Sequence, residues 1–316
     1  MPDHPFAFSN TNKRYHTLDY HLKQTFGEKA AKISLNAGFT CPNIDGSKGN
    51  GGCTYCSSSG SGDFAGSPLL PLGEQFEEGV RLLSGKWQAK KYIAYFQAHT
   101  NTYAPLQVLR EKFEEVLSFP GVVGISIATR ADCISPEIAD YLADLNSRVY
   151  LTVELGLQSI FDSTGARINR CHSYEEFLSG MEMLLYRGIR VCVHLINGLP
   201  GETREMMLES VRTISQYPIY GVKLHLLHVL RGTVLAEQYL AGEFSLLEKN
   251  EYVSLICDQL ELLPPSVVIE RITGDGDREK LIGPLWSRDK RSVLNAIDQE
   301  LYRRNSMQGI RYPVCQ

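Results

Sequence analysis

Short runs rich in β-branched residues recur along this chain at intervals of about 30 residues, the length of one strand-helix-strand unit. No other feature restricts the fold as tightly. The runs are AKISLNA (31–37), KYIAYFQA (91–98), VVGISIAT (122–129), RVYLTVELGL (148–157), IRVCVHLING (189–198) and YGVKLHLLHVL (220–230). The first interval is longer because a cysteine-bearing loop lies in it. Helical spacing fills APLQVLREKFEEVLSF (104–119), SPEIADYLADLN (135–146) and SYEEFLSGMEMLLYRG (173–188). Ser135 before Pro136 and Glu137, and Ser173 before Glu175 and Glu176, carry N-cap signals with acidic first turns. Strands and helices alternating in this way predict an α/β fold, a partial (β/α)6 TIM-type barrel of parallel strands that works at the strands' C-terminal ends. One more strand, SVVIERIT (266–273), follows a helix-like segment and a Pro-Pro turn at 264 and 265. The expected organisation is an N-terminal arm over 1–30, a core barrel over 31–240, and a C-terminal α/β extension over 241–316 that covers the barrel.

Length and composition suit this reading. The 316 residues are ample for a sizeable core, 43% are hydrophobic and 22% charged, and no apolar run is long enough to span a bilayer. The polar N-terminus lacks the apolar core of a signal peptide, so a cytoplasmic protein without a membrane partner is expected. A formal net charge of -4 argues against non-specific binding of nucleic acid, yet leaves room for a structured RNA on a local basic patch. Lys86, Lys90, Lys91 and the run SRDKRSVLNAIDQELYRRN (287–305) could meet phosphates there, or could simply be solvated helix faces.

Three of the eight cysteines, Cys41, Cys53 and Cys56, crowd together as C-x11-C-x2-C directly after the first predicted strand. The other cysteines, at 133, 171, 192, 257 and 315, are solitary and read as free thiols. The two-residue gap lets Cys53 and Cys56 wrap one centre, and the glycine-rich GSKGNGG lets Cys41 curl back to it. Thiolates hold both zinc and iron-sulfur clusters. A structural zinc site wants a fourth protein ligand, such as His99, whereas a [4Fe-4S] cluster with three cysteines keeps one iron open for a ligand that is not protein.

CTYC, with an aromatic residue just before the last cysteine, resembles the cluster motif of radical S-adenosylmethionine enzymes. Most of those have three residues between the first two cysteines, and the longer gap resembles the YtqA/YhcC-like family and the radical domain of the Elongator catalytic subunit. Further segments resemble that family in the same order: YFQAHTNTYAP (95–105), GISIATRADC (124–133), VELGLQS (153–159), NRCHSYEE (169–176), HLINGLPGET (194–203), HLLHVLRGT (225–233) and RITGDG (271–276). The resemblance implies a [4Fe-4S] cluster on Cys41, Cys53 and Cys56 whose open iron binds S-adenosylmethionine, reductive formation of a 5'-deoxyadenosyl radical, and an electron donor such as flavodoxin or ferredoxin. It also implies a transfer RNA substrate. The Elongator subunit acts at carbon 5 of the wobble uridine, and YtqA-like proteins are linked to converting 5-carboxymethylaminomethyl-2-thiouridine to the 5-aminomethyl form. Two alternatives stand beside this: radical chemistry on a small molecule such as a tetrapyrrole, and a non-catalytic, zinc-stabilised RNA-binding protein.

The same resemblance, together with the residues' own chemistry, gives roles to single residues. Glu154, a carboxylate in an apolar strand, is expected on the cofactor's ribose, or else in a buried ion pair with Arg130 or Lys223. Gln97 is expected near the methionine amino group, Tyr55 over the cluster and the adenine edge, and Gly198 and Gly201 where main chain approaches adenine. Glu202 and Thr203 equally suit a helix start. Arg130, Arg170 and Arg231 have forks suited to the cofactor carboxylate or a substrate phosphate, and equally to structural pairing with the chain's acidic residues. His194 and His225, among the strand histidines that also include His99 and His228, are expected as substrate contacts or proton donors, and Arg271 and Asp275 as lining of the substrate pocket.

Overall fold

The computed structural model describes residues 6–57, 60, 65–85, 89–274 and 276–313. Lys86, Asp275 and Cys315 lie outside the described residues. In chain order the elements are α1 (Leu18–Phe26), β1 (Ala30–Leu35), α2 (Leu72–Ser84), β2 (Lys91–Phe96), α3 (Leu106–Leu117), β3 (Val122–Thr129), α4 (Pro136–Arg148), β4 (Tyr150–Gln158), α5 (Asp162–Arg167), α6 (Tyr174–Tyr186), β5 (Arg190–Asn197) and α7 (Arg204–Ile214). There follow β6 (Gly221–Leu226), β7 (Val229–Leu230), α8 (Val234–Leu240), α9 (Lys249–Leu262), β8 (Val268–Arg271), β9 (Leu281–Gly283) and α10 (Lys290–Arg303). Seven strands form one sheet in the order β1-β2-β3-β4-β5-β6-β8, as successive βα units demand, and β7 and β9 make a separate antiparallel pair. The alternating α/β architecture expected of a partial (β/α)6 barrel is therefore present, with β8 and its neighbours as the C-terminal α/β addition.

Packing divides the chain into two compact units that are not consecutive stretches, one of residues 22–157 and 169–192, the other of 1–21, 158–168 and 193–316. In the first unit β1 to β4 pair in parallel, with registers such as Leu35 opposite Phe96 and Ile127 opposite Val153. Outward residues such as Phe96, Ile125 and Leu151 are wholly buried beneath the helices, alongside Leu109 and Phe113 of α3 and Leu142 and Leu145 of α4. Ser135 caps α4 by accepting from the Ile138 amide, and Ser173 with Glu176 forms a full capping box on α6. A methyl at Gly180 of α6 would strike the Ala131 carbonyl, so this glycine lets α6 seat against the turn after β3.

In the second unit β6 pairs in parallel with β8, and the N-terminal arm completes the edge. Ile269 donates its amide to the His16 carbonyl at 2.7 Å, and Thr17 bridges to Ile269 in parallel, so the arm covers main chain that β8 would otherwise expose. Thr203 caps α7 through the Met206 amide, the helix start that its sequence suggests. Helix α9 buries Leu255, Ile256 and Leu260, while α10 buries Val293, Ile297 and Leu301. Among the described residues no helix is long and apolar enough to cross a membrane.

Candidate active site

The cysteine loop leaves the C-terminal end of β1, where a βα barrel places its chemistry. Cys41 opens a tight turn, its carbonyl accepting from the amides of Ile44 (2.8 Å) and Asp45 (3.2 Å), and Cys56 returns its amide to the Cys53 carbonyl at 3.0 Å. All three thiols are half-buried. Hydrogen bonding from the Cys56 side chain, helped by Tyr55, the Asn43 amide and the charge of Arg130, holds the Cys53 thiol down to about 6. Tyr55 itself is pushed the other way, well above its ordinary value, by burial and then by the neighbouring Cys53 and Cys56. Soft ligands already inclined to the thiolate form suit iron. Asn43 Oδ1 and Thr54 Oγ1 are buried in the same loop with no hydrogen-bond partner among the described residues, which leaves acceptor and donor capacity beside the cysteines.

Among the described residues no three His, Cys, Asp or Glu side chains gather about one point as a mononuclear ion requires. The zinc arrangement with His99 as fourth ligand is thus not formed among them. A cubane cluster asks for something different, since each thiolate bonds a separate iron. His99 packs instead against Gly60, where a Cβ would lie 3.0 Å from its Nδ1.

Next to the loop, the turn after β2 carries backbone strain. Ala98 and His99 have φ of 74° and 57°, in the left-handed region that side chains disfavour. Asn101, wholly buried, holds the turn by donating to the carbonyls of Ala98 (3.1 Å) and Ala128 (2.8 Å). Gln97 stands at the head of this turn, its amide bonded to the Leu35 carbonyl at 3.1 Å. The cofactor segment expected at Gln97 therefore has fixed main chain.

Glu154 lies on β4 with no exposed surface, and it meets a lysine that the sequence did not suggest. Oε1 accepts from Lys32 Nζ (2.7 Å) and Ser126 Oγ (2.7 Å), Oε2 accepts from Tyr95 Oη (3.0 Å), and Thr152 donates to Ser126 at 2.8 Å. Lys32 belongs to β1, three strands from β4, about 14 Å away across a flat sheet at the usual strand spacing. Two side chains cannot meet at 2.7 Å over that span unless the strands curl. The pair thus reports the curvature of this wall directly. Arg130 forks onto Asp132 with both bonds at 2.9 Å, and Lys223 lies 3.7 Å from Glu270.

Arg130 also donates to the carbonyls of Arg170 (2.8 Å) and Cys171 (3.1 Å), so its fork is spent within the fold and not offered to a carboxylate ligand. Arg170 is wholly buried, donating to the carbonyls of His172 (3.0 Å) and Leu157 (2.7 Å), a structural arginine. Arg231 is exposed beyond β7. In the second unit the His194 and His225 rings meet, centroids 5.2 Å apart, so β5 and β6 do bring these histidines together. Gly198 holds φ of 88°, and its amide faces Met207 Sδ at 3.1 Å rather than open space. Gly274 and Gly276 of RITGDG pack on the His228 ring. The basic run over 287–305 is less available than its composition suggests: Arg303 pairs with Glu300 (2.7 Å), and Arg304 with Asp258 (2.6 Å) and Glu300 (2.7 Å). Lys91 is likewise held by Glu28 at 3.3 Å, while Lys90 is exposed.

Sequence comparison decides the family. The Radical SAM superfamily profile matches residues 44–214, more than half of the chain, and the Radical_SAM C-terminal domain matches 219–303. The chain belongs to the radical SAM superfamily. This radical SAM enzyme is 52% identical over 309 residues to the uncharacterized protein YtqA of Bacillus subtilis, covering 98% of this chain and 96% of that one. It is 30% identical over 156 residues to a tRNA uridine(34) acetyltransferase of Methanocaldococcus infernus, 48% of this chain but 29% of that protein. The solved structure of the Methanocaldococcus infernus Elp3 with an N-terminal deletion superposes with a TM-score of 0.66 at 18% identity, covering 88% of this chain and 64% of that one, which shows a shared fold. The cofactors of this radical SAM enzyme are a [4Fe-4S] cluster and S-adenosylmethionine, and the thiolate-prone cysteine loop fits that need.

Proposed function

We propose that this enzyme modifies the wobble uridine of transfer RNA, converting 5-carboxymethylaminomethyl-2-thiouridine to 5-aminomethyl-2-thiouridine. The observation that carries the reading is the 30% identity over 156 residues to a protein named for tRNA uridine 34. In this reading Cys41, Cys53 and Cys56 hold the cluster, and Cys53, already drawn toward thiolate, is ready to bond iron. When bound, the cluster and S-adenosylmethionine supply a carbon radical able to take a hydrogen atom from an unactivated C–H bond. The chain's own work is placement and exclusion of water. Tyr55, half-buried beside Cys53 and Cys56, screens the cluster. The fixed main chain at Gln97 orients the methionine end, and Gly198 serves the adenine end. Glu154 already accepts from Lys32, Ser126 and Tyr95, so it reaches a ribose hydroxyl only through its remaining lone-pair capacity. The His194–His225 pair handles protons of the flipped base. A flavodoxin or ferredoxin delivers the electron.

The decisive measurement is nucleoside analysis of transfer RNA from a deletion strain. Accumulation of the carboxymethylaminomethyl nucleoside is expected, and an unchanged wobble-uridine profile removes the substrate. Separately, anaerobically purified protein should hold about four irons and form 5'-deoxyadenosine on reduction with S-adenosylmethionine.

A further inference from the structure

The gap between Cys41 and Cys53 is held by Asn43 within it and by side chains far along the chain from the cysteine motif. Asn43, without exposed surface, donates through Nδ2 to the Asn169 carbonyl and to Cys53 Sγ, the latter at 3.5 Å. Asn169 answers from the other side, its own Nδ2 donating to the carbonyls of Asn50 (3.1 Å) and Gly52 (2.7 Å). The Gly52 amide then donates to the Asn43 carbonyl at 2.8 Å, which closes a ring of hydrogen bonds between the loop and residue 169. The turn that supplies Asn169 is itself strained: Asn169 and Cys171 have φ of 53° and 57°. Arg130 fixes that turn through the carbonyls of Arg170 and Cys171, and Asp132, which takes the arginine fork, also binds Lys48 of the loop at 2.8 Å. Gly49 completes the interlock, since a Cβ there would overlap Asn43 Oδ1 and lie 2.6 Å from Cys171 Sγ.

We propose that Asn43 and Asn169 are positioning residues of the iron-sulfur centre, Asn43 as the amide donor to the Cys53 sulfur and Asn169 as the clamp on the long gap. The proposal rests on the reading of Cys41, Cys53 and Cys56 as cluster ligands. An N–H donor on a ligating sulfur stabilises the added negative charge of the reduced centre, so it favours electron uptake. A clamp that leaves the sulfur untouched should govern how long iron stays bound and leave that equilibrium alone. The two residues are therefore separable by measurement.

The test uses anaerobically reconstituted full-length protein, with midpoint potential and iron release to a chelator as readouts. Asn43→Ala should make reduction about tenfold less favourable, about 60 mV for a one-electron couple. Asn169→Ala should keep the wild-type potential while releasing iron about tenfold faster. Asn43→Leu, which fills the site without a donor, repeats the potential measurement if the alanine variant packs poorly. Should both Asn43 variants fail to load iron, amide hydrogen exchange of the metal-free protein reads the latch directly. Faster exchange at Lys48 and Gly52 supports the proposal, and wild-type exchange there overturns it. A wild-type potential in Asn43→Ala, or wild-type iron release in Asn169→Ala, also overturns the corresponding half. Failure of the underlying reading looks different: Cys53→Ala would then keep its four irons, whatever the asparagine variants do.

Discussion

The wall that carries the cysteine loop buries charge, whereas the helices that follow β6 bury mostly hydrocarbon. In the first region Lys32, Glu154, Arg130, Asp132 and Arg170 are sunk among strands and turns, each met by directed hydrogen bonds. In the second, α9 and α10 pack together and bury Leu260, Ile297 and Leu301, with Cys257 Sγ 3.8 Å from the Ile297 carbonyl. Apolar packing tolerates small shifts, because it has no direction. Buried ions tolerate almost none, since a displaced partner leaves a charge without solvent. The contrast teaches where this enzyme needs rigid geometry: around the loop that must present three sulfurs.

The comparison can be broken most severely at Lys32. Lys32→Met removes a cation bonded to the buried Glu154 carboxylate and should cost about 4 kcal/mol of unfolding free energy in chemical denaturation, the scale of a broken buried pair. The double variant Lys32→Met with Glu154→Gln should recover much of that loss, and no recovery would mean that packing, and not charge, sets the cost. On the apolar side, Ile297→Ala should cost about 3 kcal/mol by leaving a cavity, yet leave the iron content and the cluster's absorbance unchanged. A parallel loss of iron would erase the distinction between the regions.

The smallest effect is a pH response. Burial, then the charges of Arg170 and Arg130, push His172 down to about 4, so it stays neutral in the fold. The unfolded imidazole takes a proton near pH 6.5, and the native one does not until about pH 4. Stability therefore falls as pH drops between those values, by about 2 kcal/mol from pH 6.5 to 5 at 1.36 kcal/mol per unit. Thermal melts of His172→Gln should show a visibly flatter slope over that window than wild type. His16 and His99, also lowered by burial, leave a residual slope of the same sign.

Much of this was legible in the chain. The strand runs declared β1 to β6 and β8 because strands buried on both faces need continuous apolar, β-branched sequence. The caps at Ser135 and Ser173 declared themselves through local chemistry that depends on three residues. The cysteine loop was equally visible. What sequence could not show was pairing across the sheet: Lys32 lies 122 residues from Glu154, and only curvature brings them together. Asn43 and Asn169 were missed for the same reason, since asparagine in a loop usually serves its own turn. Their signal, an asparagine two residues after the first cysteine and another beside NRCHS, has no spacing rule behind it. The basic run at 287–305 offers less than its composition suggests, because Arg303 and Arg304 are consumed by Glu300 and Asp258.

The Lys32–Glu154 pair also has a consequence for how the chain folds. Its partners sit on the first and fourth strands, so neither gains its counter-charge from hairpins or helices formed early. Until β1 to β4 have assembled and bent, the carboxylate must remain in water. Closing so distant a contact carries a loop-entropy cost that local structure cannot offset. Desolvation of Glu154 thus comes late, as a checkpoint on curvature: a wall of strands laid down flat would keep its lysine and its glutamate wet.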